Sequence, residues 1–108
     1  MKNFPKTVTI ELGDDDIPTD EVLQNDRHYA SAEVSSVNNF INLTFATRDA
    51  FYDFSRSLLR EAMFGTGGQL ELYPLVVDGK PQVVDGCRLT ESSARIFIFY
   101  PDGTGSAD

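Results

Sequence analysis

Thr47-Arg48-Asp49-Ala50-Phe51-Tyr52-Asp53-Phe54-Ser55-Arg56-Ser57-Leu58-Leu59-Arg60-Glu61-Ala62-Met63-Phe64-Gly65 has the period of a helix, and Val76-Val77-Asp78-Gly79 and Val83-Val84-Asp85-Gly86 beyond it have the punctuation of hairpins. Thr47 offers an N-cap hydroxyl, Asp49 sits where a carboxylate complements the helix dipole, and Gly65 supplies a stop. These signals predict a helix over 48–64. At 100° per residue Phe51, Tyr52, Phe54, Leu58, Leu59, Ala62 and Met63 share one half of the wheel, and Asp49, Asp53, Arg56, Ser57, Arg60 and Glu61 the other. The expectation is an amphipathic helix lying on a sheet, its aromatics in the core and Asp53, Arg56 and Arg60 facing water.

Downstream of the helix, Gly65-Thr66-Gly67-Gly68 lacks the Lys of a phosphate-binding loop and precedes a strand instead of a helix, which excludes that motif. Leu70 to Val77 reads as a strand. Each Asp-Gly is a strong hairpin signal, because glycine accepts positive φ at no steric cost. Cys87 to Thr90 and Ala94 to Tyr100 complete the sheet. Upstream, Thr7 to Leu12 alternates, with Val8, Ile10 and Leu12 on one side. Thr19, Asp20 and Glu21 suit the start of a short helix within Ile17 to Leu23. Tyr29 to Val37 and Phe40 to Ala46 alternate again, joined through Asn38 and Asn39.

The predicted class is α+β: a mostly antiparallel sheet of about five to seven strands with the helix over 48–64 on one face. Residues 1–100 form one domain, and 101–108 are a polar tail. Ile96, Phe97, Ile98 and Phe99 are apolar on both faces of their strand, whereas one helix covers only one. The 13–28 segment, sheet curvature, a second copy or a partner must cover the other.

The chain has 108 residues, 41% of them apolar, enough to bury the core of one domain. Its apolar runs fall far short of the ~20 residues of a membrane-spanning helix, and no apolar stretch follows the lysines of Met1 to Lys6 as in a secretory signal. A lone Cys87 cannot form an internal disulfide, so a reducing cytoplasm is the expected compartment. Seventeen acidic residues against nine basic give a net charge of -8, which disfavours nucleic acid and anionic membranes.

That charge is local. Glu11, Asp14, Asp15, Asp16, Asp20, Glu21 and Asp26 are unaccompanied by Lys or Arg from 11 to 26; removing these seven leaves ten acids against nine bases elsewhere. Such a run is either a solvated loop or a patch that steers a basic partner. Counted as an EF-hand from Asp14, it places Thr19 where glycine is needed and Asn25 where the closing glutamate is needed, so no metal site is expected.

Catalytic signals are sparse. Cys87 and His28 could in principle form a nucleophile and base, but Cys87 follows a turn glycine without a local signature, and a buried thiol with an exposed histidine is the simpler expectation. A carboxylate pair for glycoside chemistry would need a larger cleft than a one-helix chain of this size provides. No catalytic residue and no cofactor are assigned.

Gly68-Gln69-Leu70-Glu71-Leu72-Tyr73-Pro74-Leu75-Val76-Val77-Asp78-Gly79 through Ile96-Phe97-Ile98-Phe99-Tyr100-Pro101, after an acidic N-terminal third, resembles the small acidic immunity proteins of bacterial toxin and immunity systems, including contact-dependent inhibition. The resemblance covers about the last forty residues and implies a cytoplasmic protein that covers the active site of a cognate toxin, often a basic nuclease. It carries no residue-level assignment. The charge argument agrees with it. The expected function is non-catalytic binding of a basic protein toxin through Asp14, Asp15, Asp16, Asp20, Glu21 and Asp26. A homo-oligomeric scaffold using an apolar sheet face is the alternative, a homodimer being its simplest form. A small hydrolase is the second.

Overall fold

The computed structural model describes residues 4–13 and 17–102. In chain order the elements are α1 (Asp20–Gln24), β1 (Ala30–Val34), β2 (Ile41–Phe45), α2 (Arg48–Phe64), β3 (Gln69–Leu72), β4 (Leu75–Val77), β5 (Lys80–Val84), β6 (Cys87–Arg88) and β7 (Ile96–Phe99). The architecture is α+β with antiparallel ladders and one main helix, as the sequence predicts. The strands form three small sheets instead of one: β1 with β2, β3 with β7, and β4-β5-β6.

Local chemistry explains most boundaries. Helix α2 starts and stops where its caps require: the Thr47 side chain accepts from the Ala50 amide at 3.1 Å, and the Gly65 amide donates to the Glu61 carbonyl at 2.7 Å. Gly65 keeps φ at -68°, so the stop relies on space, not on a left-handed backbone. A Cβ there would lie 2.5 Å from the Tyr100 hydroxyl. Both Asp-Gly turns have positive φ at both positions, Asp78 52° with Gly79 77°, and Asp85 50° with Gly86 83°, the geometry of type I′ hairpins. Pro74 divides the strand expected over 70–77. Leu70 and Leu72 pair with β7 across Ile98 and Ile96, and Leu75–Val77 turn into the other sheet and pair with β5.

The core consists of Ala30, Phe54, Leu70, Leu72, Cys87 and Leu89, with Phe45, Leu58, Ile96 and Ile98 packed around it. Segment 89–94 runs beside β1, joined by a parallel bridge from Ala30 to Leu89 and by the Ala94 amide donating to the Ala32 carbonyl at 2.8 Å. No helix among the described residues is long and apolar enough to cross a membrane.

Several expectations need correction. Thr7 to Leu12 is not a strand; it has no ladder partner among the described residues, and only Ile10 of its apolar side is buried. Part of the polar face of α2 is covered and part of the apolar face is not: Asp53 and Arg56 are buried, whereas Phe51, Leu59 and Met63 are about half exposed. The polar pair is buried because the N-terminal segment lies over it, with Phe4 stacked on Tyr52 at 4.4 Å between centroids and the Arg56 guanidinium over the same ring. His28, expected at the surface, is only 1% exposed. On β7, Ile96 and Ile98 face the core while Phe97 and Phe99 stay exposed. The 13–28 segment does not cover them, since its described part is bonded to α2 and β6.

Candidate functional site

The acidic segment is fastened to the body by three polar side chains that the hydropathy pattern does not reveal. Helix α1 is one and a half turns long and buries Val22. Its N-cap, Thr19, does not cap through its own hydroxyl. Instead Asp53, from α2, accepts from both the Thr19 amide at 2.8 Å and the Thr19 hydroxyl at 3.0 Å, while its other oxygen accepts from Arg56 at 3.1 Å. A buried carboxyl group thus satisfies the open end of α1 and is itself fully partnered.

Arg88 holds the other end. Only 6% exposed, it donates to the carbonyls of Leu23 at 3.2 Å, Asn25 at 3.0 Å and His28 at 3.1 Å, and through Nε to Pro81 at 3.3 Å. Its planar fork reaches acceptors that a single ammonium could not serve together. Burial pulls the guanidinium below its ordinary pKa, while the charge of Asp26 acts in the opposite direction.

His28 is the third fastener. Its Nδ1 lies 2.7 Å from Thr47 Oγ1 and its Nε2 2.6 Å from Glu21 Oε2. Glu21 also accepts from Asn25 at 3.1 Å and Arg27 at 3.3 Å. These bonds, His28 first and Arg27 second, hold the Glu21 carboxyl below the usual glutamate range. Asp49, in the first turn of α2, completes a group in which one ligand atom from each of Glu21, His28 and Asp49 lies within 4.8 Å of the others.

Of the residues assigned to a partner-binding patch, Asp20 and Asp26 are exposed on this fastened segment. Glu21 is also exposed, but its carboxyl is committed to His28 and Arg27 and contributes less free negative charge than the sequence count implies. Asp14, Asp15 and Asp16 lie outside the described residues. Their neighbours Leu12 and Ile17 line one wall of a cleft of about 510 Å³, whose other walls include Phe64, Glu61 and Asp85. Burial raises the Asp85 carboxyl above its ordinary pKa, and the like charges of Glu61 and Glu71 add to the effect. Glu61 accepts a short hydrogen bond from the Tyr100 hydroxyl, whose own pKa this bond raises.

Cys87 sits in the core and is 2% exposed. Burial pushes its thiol up to about 12, against a smaller lowering by Arg88. Both His28 ring nitrogens are engaged by Thr47 and Glu21, so the structure does not assemble a Cys87-His28 pair. The sequence signal for Asp85 was its Asp-Gly turn, which indicated backbone conformation but not its place on the cleft. Arg88 and Asp53 left no comparable signal, and Thr47 was marked only as the N-cap of α2, not as a partner of His28.

No protein-family model, no curated protein and no solved structure matches this chain.

Proposed function

We propose that the protein is a non-catalytic acidic inhibitor that binds a basic protein toxin, in the simplest case a nuclease, and neutralises it by covering its active site. The observation that carries this reading is the cleft beside the fastened acidic segment. Asp20 and Asp26 are held on a segment whose ordering is completed within the fold, so little conformational entropy remains to be lost on binding. The cleft next to them combines apolar walls from Ile17, Leu23 and Phe64 with the carboxyl groups of Glu61 and Asp85 and one guanidinium, that of Arg60. An Arg or Lys of a partner entering it would relieve the like-charge pressure on Asp85 and bury its aliphatic stem on the apolar walls. The test is co-expression with a basic nuclease toxin, sought first among the products of adjoining genes. Wild-type protein is expected to restore growth and to bind the purified toxin, and Asp20→Asn with Asp26→Asn and Asp85→Asn to weaken both. Protection retained in full by the triple variant would refute the reading.

A second reading, a homo-oligomeric scaffold, is favoured by one observation. The β1–β2 hairpin leaves Val34, Val37, Phe40 and Ile41 exposed, Val37 at 94% and Ile41 at 77%. Sedimentation velocity of wild type and Ile41→Lys across a concentration series tests it: a concentration-dependent dimer abolished by the substitution supports it, and a monomer at all concentrations removes it.

A further inference from the structure

We propose that Glu21, His28 and Asp49 form a binding site for one first-row divalent cation of the Zn²⁺ or Co²⁺ type. The acidic run gave no such site because its spacing fails as a loop motif. The fold instead draws one ligand from each of three places: Glu21 from α1, His28 from the approach to β1, and Asp49 from the first turn of α2.

Ligands about 2.1 Å from a metal and subtending roughly 90–110° stand ~3.0–3.4 Å from one another. Glu21 Oε2 and His28 Nε2 are 2.6 Å apart, so the pair needs to open by only a few tenths of an ångström. Asp49, whose ligand atom lies within 4.8 Å of both, closes by at most about 1.8 Å through side-chain rotation. These movements are smaller than a rotamer change. The inner wall is already built as metal sites require. His28 is 1% exposed and its Nδ1 is fixed at 2.7 Å on Thr47 Oγ1, an oxygen that can accept from Nδ1–H once the metal has displaced to solvent the Nε2 proton that now bonds Glu21. The outer side is open, since the Glu21 side chain is 42% exposed, leaving room for water to complete the coordination.

One imidazole with two carboxylates suits Zn²⁺, Co²⁺ or Ni²⁺ better than Mg²⁺ or Ca²⁺, which prefer oxygen alone. Asp20 and Asp26 on the same segment raise the local cation concentration. Arg27 opposes binding, because its guanidinium lies 3.3 Å from the same Glu21 oxygen. At 65% exposure it is free to swing outward. The proposal does not depend on the toxin-binding reading.

The experiment is titration of the full-length chain with Zn²⁺ by calorimetry, and with Co²⁺ by visible absorption, in non-chelating buffer with excess Mg²⁺. The chain has one His, so its imidazole proton resonances report on the site without assignment work. The expected result is one equivalent bound with those resonances shifted, affinity reduced about tenfold or more in Glu21→Gln and in Asp49→Asn, and increased in Arg27→Gln. Asp49 lies outside the packed core, so its variant keeps the test valid even if Glu21→Gln loosens α1. A variant with Asp14, Asp15 and Asp16 all changed to Asn is expected to bind as wild type. Absence of binding, binding with unmoved imidazole resonances, binding unaffected in both Glu21→Gln and Asp49→Asn, or loss confined to the triple variant would each overturn the proposal.

Discussion

Replacing Arg88 with Met tests whether the acidic segment is fastened as described. The aliphatic stem is kept, while the donors to the Leu23, Asn25, His28 and Pro81 carbonyls are lost. The bond to His28 is buried, and an acceptor stranded there costs about 1–3 kcal/mol. The other carbonyls lie nearer water, which replaces part of what they lose, so each adds roughly 0.5–1.5 kcal/mol. Together these come to about 2.5–7.5 kcal/mol, and the expected loss is about 3–5 kcal/mol, the range for breaking other buried charged interactions. For a domain of this size, whose whole stability is of order 5–15 kcal/mol, this is a large fraction. In urea it lowers the midpoint by ~2–3 M at an m-value near 1.5 kcal/mol/M. Native-state amide exchange should localise the effect: amides of residues 20–26 lose protection before those of α2 and β3. Arg88→Lys should recover only part of the loss, because one ammonium cannot span the set of carbonyls. A loss below ~1 kcal/mol with unchanged exchange at 20–26 would show that Arg88 does not fasten the segment.

Gly86→Ala and Gly79→Ala separate backbone strain from packing. Both glycines have positive φ, but a Cβ at Gly86 meets Ser57 Cβ at 2.6 Å whereas one at Gly79 meets nothing within 4 Å. Urea denaturation should show about 1–2 kcal/mol lost at Gly79 and a further ~1–3 kcal/mol at Gly86 from overpacking. Glu21 has a lowered carboxyl pKa in the fold. Its stabilising contribution is present above the unfolded glutamate value, near pH 4.3, and is lost as pH falls through the folded value. A stability-versus-pH profile of Glu21→Gln should lack this acid limb. Asp85 has the opposite sign, since its pKa is raised: stability falls as pH rises through the carboxylate range. Asp85→Asn should raise the urea midpoint at pH 7 and give a smaller gain at pH 3, helped by the preference of Asn for the left-handed turn position. Cys87, buried with its thiol pushed up to about 12, should resist a thiol-specific disulfide reagent in the folded protein and react at once in urea.

Local chemistry was legible in the sequence where the determinants lie within a few residues. Thr47 and Gly65 mark the ends of α2 because capping is decided by the first and last turns, and the Asp-Gly pairs mark the hairpins because positive φ is a property of the residues themselves. What depends on distant chain was not legible. Asp53 and Arg56 look solvent-facing on a helical wheel, which cannot represent a second layer of chain crossing the polar face. Their burial follows from the open amide and hydroxyl of Thr19, which need an acceptor. His28 and Arg88 were likewise invisible, because their partners are separated in sequence and include backbone carbonyls. The alternation at 7–12 misled for a related reason. A period of two shows that a segment could line a face, but a strand also needs a neighbour with a free edge. In the acidic segment the count of carboxylates does not reveal that one of them, Glu21, is paired with His28 and Arg27.

The proposed inhibitor role is tested most sharply by the association rate with a purified basic nuclease toxin, one the protein protects against on co-expression, as a function of salt. Wild-type protein is compared with a variant in which Asp14, Asp15, Asp16, Asp20 and Asp26 are changed to Asn, keeping Glu21 for its structural bonds. Electrostatic steering by the acidic segment predicts a wild-type rate that falls steeply with ionic strength, and a variant rate at least about tenfold lower at low salt and nearly flat across the series. Equal rates with equal salt dependence for the two proteins would contradict it.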